Sequence, residues 1–429
     1  MAKVGVVGGG ISGLSLSYYL DKKGISYEVF ESEPEPGGVI KTREIEDRVV
    51  DLGPQRTALT PEIKSIIEDL DLSTQVVKAD RDKPVYIYHH GRLRQVPFSP
   101  FGFLRTDLLS WRGKLRVFLE PFTRSPREDE TVGEFFTRKF GAEACDYFLG
   151  PLYGGTYGSN PDDMPMRHSL FPILENAGLS DKRSLLFTAL KRSIGGSSLP
   201  PTFSFQEGMQ TLPKSLYERH EENIHLESPV NRIKKTNGGF DVVTKDRTLG
   251  VDEVVLTTPS DVTADLIRDI DPEGSERLEG LNYNPIAVVH LESDSDLEGF
   301  GYQVQWSEDY KTLGVTWNAS IFNRDKLHTC FLGGAKNPDL INEPDELIGE
   351  TAREEFEDIN ECEARVLNVH TWEHGFPAYD GSWGALDSFE TPNGIHICAN
   401  YVSRAGTPGR VRQARGVAEE IASVLGNSE

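Results

Sequence analysis

Val4-Gly5-Val6-Val7-Gly8-Gly9-Gly10-Ile11-Ser12-Gly13, continuing through Leu14 to Leu20, is a β-branched run, then Gly-x-Gly-x-x-Gly, then a helical pattern. A second strand-like run, Tyr27-Glu28-Val29-Phe30, delivers Glu31 eighteen residues past Gly13. Each part of this unit has a task in holding a dinucleotide. Gly8 permits the tight turn, Gly10 lets the backbone approach a pyrophosphate, and Gly13 lets the helix pack closely on the strand. The helix N-terminus offers unpaired N–H groups and a partial positive charge to the phosphates. Glu31 is placed to accept hydrogen bonds from ribose hydroxyls and disfavours a 2′-phosphate, which argues against NADP. A glycine-rich turn in an ordinary α/β protein explains the glycines, but not an acid at this distance.

The rest of the chain limits what such a site can serve. At 429 residues it exceeds one ordinary core, so two or three domains are expected. A hydrophobic content of 37% and a charged content of 26% suit a globular protein, and no apolar run is long enough to span a bilayer. The first strand begins by residue four, leaving no room for a secretory leader, so a cytoplasmic location is the default expectation. Lys and Arg number 45 against 68 Asp and Glu, a net charge of −23, which excludes nucleic acid as a natural partner. Cys145, Cys330, Cys362 and Cys398 are scattered without C-x-x-C spacing, so no metal site and no disulfide are expected.

Outward from the opening unit, residues 61–72 carry helical spacing, and Val85 to Val96 reads as a hairpin turning at His89-His90-Gly91. Residues 96–122 interleave Phe98, Phe101, Phe103, Trp111, Phe118 and Phe122 with Arg105, Arg112, Lys114 and Arg116. Two readings stand: helices capping an apolar substrate pocket, which is favoured, or an interfacial surface facing anionic lipid or a hydrophobic partner. Residues 128–200 look helical, with a Gly/Tyr-rich interruption at 150–158 and a linker at 195–201. Hairpin-like strands are expected around 224–227 and 240–244, and a buried strand over 254–259. Antiparallel strands are expected across 285–335, a helix over 344–359, then a strand at 395–399 and a closing helix to 425. The first and last segments therefore form one nucleotide-binding domain, into which the middle is inserted.

At this point the chain resembles the flavin-containing amine oxidase superfamily, and within it the protoporphyrinogen and coproporphyrinogen oxidases. The carrying segments are residues 7–14, 30–32, Gly37-Gly38-Val39-Ile40-Lys41-Thr42, Asp51-Leu52-Gly53-Pro54, 150–158, the Gly208 to Pro213 segment and Phe376 to Trp383. The resemblance implies an α/β plus α+β fold. A discontinuous Rossmann-like FAD-binding domain (1–84, 203–260 and 385–429) would join an antiparallel-sheet substrate domain (85–97 and 261–384) and an inserted helical domain (98–200). It further implies FAD-dependent oxidation of a porphyrinogen to the porphyrin in haem biosynthesis, in three two-electron steps, by hydride transfer to flavin and reoxidation by oxygen. Gly8, Gly10, Gly13 and Glu31 would hold the ADP half, and Gly37, Gly38 and Thr42 would approach the pyrophosphate and ribityl chain. Val230 would contact adenine, Thr257 would lie near the cofactor, Trp383 would sit by the isoalloxazine, and Gly406 and Thr407 would bring N–H groups to the flavin pyrimidine.

The chain also departs from that pattern. Arg404 and Gly409 stand where the family's last motif has glycine and aspartate. Gln55 follows Gly53-Pro54 where related sequences often carry arginine, with Arg56 one step later. Arg56, Arg167 and Arg404 are the candidate partners for substrate carboxylates. No catalytic acid or base is nominated. A flavin desaturase or amine oxidase acting on another apolar substrate, and a non-catalytic carrier of the same fold, remain as alternatives.

Overall fold

The structure, a computed structural model, describes residues 3–80, 82–194, 200–402 and 406–426. Lys3–Val7 lies at the centre of a five-stranded parallel sheet in the order Ile224–His225, Ser26–Phe30, Lys3–Val7, Glu253–Leu256, Ile395–Ile397. The register places Val4 between Tyr27 and Glu253. Helices Ile11–Lys22 and Thr407–Gly426 share one core on this sheet, in which Leu14, Leu16, Leu20, Ala414, Ala418 and Ile421 are fully buried. Each such leucine contributes roughly 1.5–3 kcal/mol by leaving water. The first and last segments are therefore one body, as the sequence pattern predicts. Ile224–His225 corrects one expectation, because it is the parallel edge of this sheet and not half of a hairpin. The hairpin is made instead by Val230–Thr236 and Gly239–Thr244, extended by Thr248–Val251.

A second sheet has seven strands, ordered Arg365–Pro377, Tyr283–Glu292, Leu327–Gly333, Thr312–Thr316, Gly301–Val304, Val85–His89, Arg92–Gln95. Its neighbours are antiparallel except Val85–His89 with Gly301–Val304, which run parallel. Helix Asp345–Asn360 covers it through Ile348, Ala352, Phe356 and Ile359. The thirteen-residue strand Arg365–Pro377, which ends in Phe376-Pro377, was not anticipated.

The third body is helical. Thr131 and Glu134 form a reciprocal cap at the start of Val132–Phe140. Beneath it Glu120 and Lys139 make an ion pair of 2.7 Å in which both side chains are fully buried. Glu120 also accepts from Ser184 Oγ and Leu185 N, both at 2.8 Å. Residues 150–158 do not interrupt the helical run. Gly150–Tyr157 is a helix, joined to Ala142–Ala144 through a π-helical segment, Cys145–Leu149. Its glycines are packing positions: a Cβ on Gly154 would lie 2.5 Å from the Ser159 carbonyl, and one on Gly155 2.2 Å from Gln303 Oε1. The expected linker falls at 195–201, of which 195–199 lie outside the described residues.

Residues 96–122 fold as short helices Pro100–Arg105 and Trp111–Phe118 with a 3-10 turn, Glu120–Phe122. Leu108, Leu109 and Val117 are buried, but Phe98, Phe101, Leu104, Trp111, Leu115, Phe118, Leu119 and Phe122 face solvent, Phe122 being 87% exposed. All eight are exposed and form an outward apolar face rather than the covered pocket of the favoured reading, although Leu104 and Trp111 border a surface cavity. Among the described residues no helix is long and apolar enough to cross a membrane.

Candidate active site

The glycine loop is built so that Gly8 and Gly13 leave no room for a side chain. Gly8 has φ of +106°, and a Cβ there would lie 2.5 Å from Thr257 Oγ1. A Cβ on Gly13 would lie 2.0 Å from the Gly8 carbonyl oxygen, so the helix could not approach the strand turn. Thr257 ends the neighbouring strand, and its hydroxyl donates to the carbonyls of Val7 and Gly8 at 2.9 and 3.0 Å. It therefore holds the loop's shape. Gly10 caps helix Ile11–Lys22 without any side-chain cap. The nearest atom to a Cβ there would be the Cα of Gly38 at 3.9 Å, which leaves a shallow cradle between the two glycines.

Glu31 is buried, with Oε2 accepting from Gly9 N at 2.6 Å and Oε1 from Glu33 N at 2.9 Å. The carboxylate thus stands at the mouth of the glycine loop. Gly37 and Gly38, with φ of +116° and +59°, bring the next loop against it, and Gly37 N donates to Gly9 O at 2.9 Å. Val230 opens the strand that follows Ser228, whose N–H donates to Glu31 O at 2.7 Å. Val230 thereby lies two residues beyond a backbone contact with Glu31.

Thr42 leads into a buried polar hub that the sequence did not announce. Its hydroxyl donates to Asp51 Oδ1 at 2.6 Å, and Met209 N donates to the same oxygen at 2.8 Å. Asp51 Oδ2 pairs with Arg324 Nη1 at 2.7 Å, and Arg324 Nη2 reaches Ser204 Oγ at 3.1 Å. His290 Nε2 bonds the Asp51 carbonyl at 3.0 Å, and complete burial pulls that imidazole down to about 3. The motif beginning at Asp51 is therefore the joint between the glycine loops and the seven-stranded sheet.

At the other end, Gly406 (φ +102°) precedes the final helix, which begins at Thr407. Arg410, on its first turn, is buried, which lowers its guanidinium to about 10 against the opposing effects of Cys398, Tyr379, Tyr401 and Tyr283. Burial pushes the Cys398 thiol up to about 12, with Arg410 and the Ser12 hydroxyl opposing. Ser12, Cys398, Arg410 and Tyr379 thus form a continuous neighbourhood between the two helix N-termini. Tyr379 stacks on the buried Trp383 at 4.6 Å and 18°, which ties Trp383 to the same region.

The arginines separate. Arg56 donates through Nη1 to Thr316 Oγ1 at 3.0 Å, and burial lowers it to about 10; among the described residues it has no carboxylate partner. In the preceding residue, buried Gln55, Nε2 has no hydrogen-bond partner among the described residues, while Oε1 accepts from Asn318 at 2.7 Å. Arg167 is exposed and paired with Asp387 at 3.2 Å, so the structure does not bring it to Arg56 as a free cation. Arg404 lies outside the described residues.

A dinucleotide cradle on a parallel sheet, joined to an antiparallel sheet and a helical body, defines a flavin-dependent oxidoreductase, and the chain belongs to the flavin containing amine oxidoreductase family, whose model matches residues 11–422. A flavin held by a dinucleotide fold is FAD, and the Gly10–Gly38 cradle, the uncapped helix start and Glu31 fit its diphosphate and ribose. The chain is 28% identical to protoporphyrinogen oxidase 2 of Arabidopsis thaliana, over 90% of this chain and 85% of that protein. It is 26% identical to protoporphyrinogen oxidase 1 of Spinacia oleracea, over 98% of this chain and 84% of that protein. The fold matches the crystal structure of a candidate protoporphyrinogen oxidase from Exiguobacterium sp. 255-15, with a TM-score of 0.81 and 23% identity over 98% of each chain.

Proposed function

We propose that this protein oxidises a porphyrinogen, protoporphyrinogen IX or coproporphyrinogen III, to the porphyrin in haem biosynthesis, with oxygen as electron acceptor. The observation that carries this reading is the pair of adjacent donors at Gln55 and Arg56. A desolvated guanidinium held by one hydroxyl, beside an amide N–H without an acceptor, asks for an anionic oxygen ligand. A propionate of the substrate supplies it. FAD, when bound, supplies the two-electron acceptor. The chain's own residues orient the two partners: the glycine loops and Glu31 fix the ADP half, Gly406 and Thr407 direct helix N–H groups to the flavin, Trp383 packs beside the ring, and Arg56 anchors the substrate. Residues 1–84, 203–260 and 385–429 then act as the FAD-binding body, 85–97 and 261–384 as the substrate-binding body, and 98–200 as the helical body.

The test is aerobic turnover of the yellow protein on both porphyrinogens, following porphyrin fluorescence and hydrogen peroxide against an enzyme-free control. Acceleration with one substrate supports the reading and selects the branch. Absence of acceleration with both, in protein whose flavin is reducible by dithionite, overturns it. In the Arg56→Gln variant the loss of one charged hydrogen bond predicts a KM raised roughly 10- to 100-fold with flavin content unchanged.

The eight outward apolar side chains support a second element of the proposal, a peripheral contact with an anionic bilayer. Arg105 and the exposed Arg112 lie among them, Arg105 over the Phe101 ring at 4.0 Å, and aromatic side chains with arginine suit the headgroup boundary. Lys114 and Arg116 do not belong to this surface, because they donate to the carbonyls of Leu104, Lys139 and Arg138. Cosedimentation with phosphatidylglycerol vesicles that is lost on replacing Phe98, Trp111 and Phe122 by serine is the expected result. Equal binding by that variant, or none by the parent, overturns the contact.

A further inference from the structure

Away from the nucleotide cradle, the hairpin Val85–His89 and Arg92–Gln95 carries two adjacent histidines at its tip. Neighbouring residues of a strand point to opposite faces, and that rule would keep the imidazoles apart. Here His90 enters the left-handed region, with φ of 48°, and Gly91 follows at 68°. The turn swings the second ring back over the first, so that the His89 and His90 centroids lie 3.9 Å apart. Positive φ at both central residues is what a two-residue hairpin turn takes, so the turn itself accounts for the left-handed His90. The other face of His89 is covered by Tyr147, stacked at 3.9 Å and 27°, which the π-helical segment Cys145–Leu149 delivers. π-Helical turns are rare and cluster at functional sites.

Glu308 closes the group. Its Oε1 accepts from His90 N at 2.7 Å and lies 3.6 Å from His89 Nδ1, and the ligand atoms of all three side chains fall within 4.8 Å of one another. Among the described residues no lysine or arginine pairs with the Glu308 carboxylate. Lys336 binds the Glu308 backbone carbonyl at 2.5 Å, and Arg94 is engaged by Asp107 at 3.4 Å and by the carbonyl of His89. Gln305 Oε1 accepts from His89 Nδ1 at 3.3 Å, a hydrogen bond that an ion held at that nitrogen would displace. A cavity of about 660 Å³ opens onto His89 and His90, lined also by Tyr147, Glu143 and the cations Arg94, Arg105 and Lys114, so an ion and a water have a way in to the two imidazoles.

We propose that His89, His90 and Glu308 form a binding site for a divalent transition-metal ion of the zinc class, with a fourth position open to water from the cavity. Two imidazole nitrogens and one carboxylate oxygen are the donor set that suits zinc and its neighbours, and they suit magnesium or calcium poorly. The bound ion would pin the hairpin tip to the Gln305–Glu308 turn and, through the Tyr147 stack, to the helical body. It is a site separate from the flavin chemistry.

The test uses tag-free, flavin-loaded protein, stripped with chelator and dialysed, and titrated with ZnCl2 by calorimetry and with CoCl2 by visible absorption. One equivalent of Zn2+ is expected, with cobalt bands of four- or five-coordinate nitrogen and oxygen ligation. His90→Asn keeps a residue that tolerates the left-handed turn while removing the imidazole, and Glu308→Gln removes the carboxylate. Each should weaken Zn2+ binding by more than ~100-fold, since loss of groups merely supporting a ligand already costs 10- to 100-fold. Flavin content and the metal-free melting temperature should be unchanged. Substoichiometric binding by the parent, cobalt bound with the spectrum of the hexa-aqua ion, or variants that bind like the parent would each overturn the proposal.

Discussion

Replacing Arg324 by methionine tests the claim that Asp51 is the joint between the glycine loops and the seven-stranded sheet. The Asp51 side chain is fully buried, and the Arg324 side chain is 9% exposed. Without Arg324, Asp51 Oδ1 keeps Thr42 and Met209 as donors, but Oδ2 loses the guanidinium held at 2.7 Å. Breaking a buried ion pair by removing one partner typically costs about 3–5 kcal/mol, because the remaining charge is stranded. At roughly 1 °C per kcal/mol for a chain of 429 residues, the variant should melt about 3–5 °C lower. Thermal unfolding followed by circular dichroism, with and without added FAD, is the assay. Asp51→Asn combined with Arg324→Met removes the stranded charge and should recover more than half of the loss, as a double-mutant cycle would show. A single variant that melts within about 2 °C of the parent would mean that Asp51 is satisfied without Arg324, and the joint would have to be sought elsewhere.

Three further outcomes are expected. Gly13→Ala places a Cβ 2.0 Å from the Gly8 carbonyl, so the protein should fold but purify without visible flavin absorbance; full retention of flavin would contradict the close approach. Glu31→Gln keeps an acceptor for Gly9 N but removes the charge that disfavours a 2′-phosphate, so competition of flavin binding by 2′-phospho-ADP-ribose should strengthen relative to ADP-ribose, measured as flavin release. Burial holds His290 near 3 and His328 near 4, whereas an unfolded histidine titrates near ~6.5. The unfolded chain therefore takes up protons that the folded chain refuses as pH falls below ~6.5, and stability present above that pH is lost toward pH ~4. The two groups together predict a loss of about 4 kcal/mol between pH ~7 and ~5, and denaturant titrations of His328→Leu should show a pH dependence near half of the parent's.

The opening βαβ unit was legible because its requirements are local: three glycines, one helix start and one acid at fixed spacing. The last helix and the strand before it were legible by their apolar patterns, and the parallel sheet follows from them. Ile224–His225 was misassigned because two residues carry no periodicity, and its partner, Ser26–Phe30, lies far back in the chain. Gly150–Tyr157 was read as a break because glycine disfavours helix by about 1 kcal/mol per residue. Contacts with Ser159 and Gln303, which only the folded chain supplies, outweigh that preference. Arg365–Pro377 escaped notice because it is half-buried along its length, so its alternation is weak. The Asp51–Arg324 pair and the His89, His90 and Glu308 cluster join residues that are more than 200 positions apart. Cysteine spacing, the metal signal read from the sequence, says nothing about an imidazole–carboxylate group.

The parallel sheet has a consequence for how the chain is made. Its central strand is synthesised first, yet one neighbour arrives with Glu253–Leu256 and the next strand out with Ile395–Ile397. At about 5–20 residues per second, the N-terminal strand waits on the order of a minute for the last of them. During that time its apolar faces and unpaired edge are open to other chains, and parallel pairings of this sequence separation form slowly. The glycine loop cannot hold a dinucleotide until Thr257 reaches the carbonyls of Val7 and Gly8. Flavin capture is therefore a late event in biosynthesis, and a ribosome-bound chain halted before residue 253 should remain colourless and dependent on chaperones.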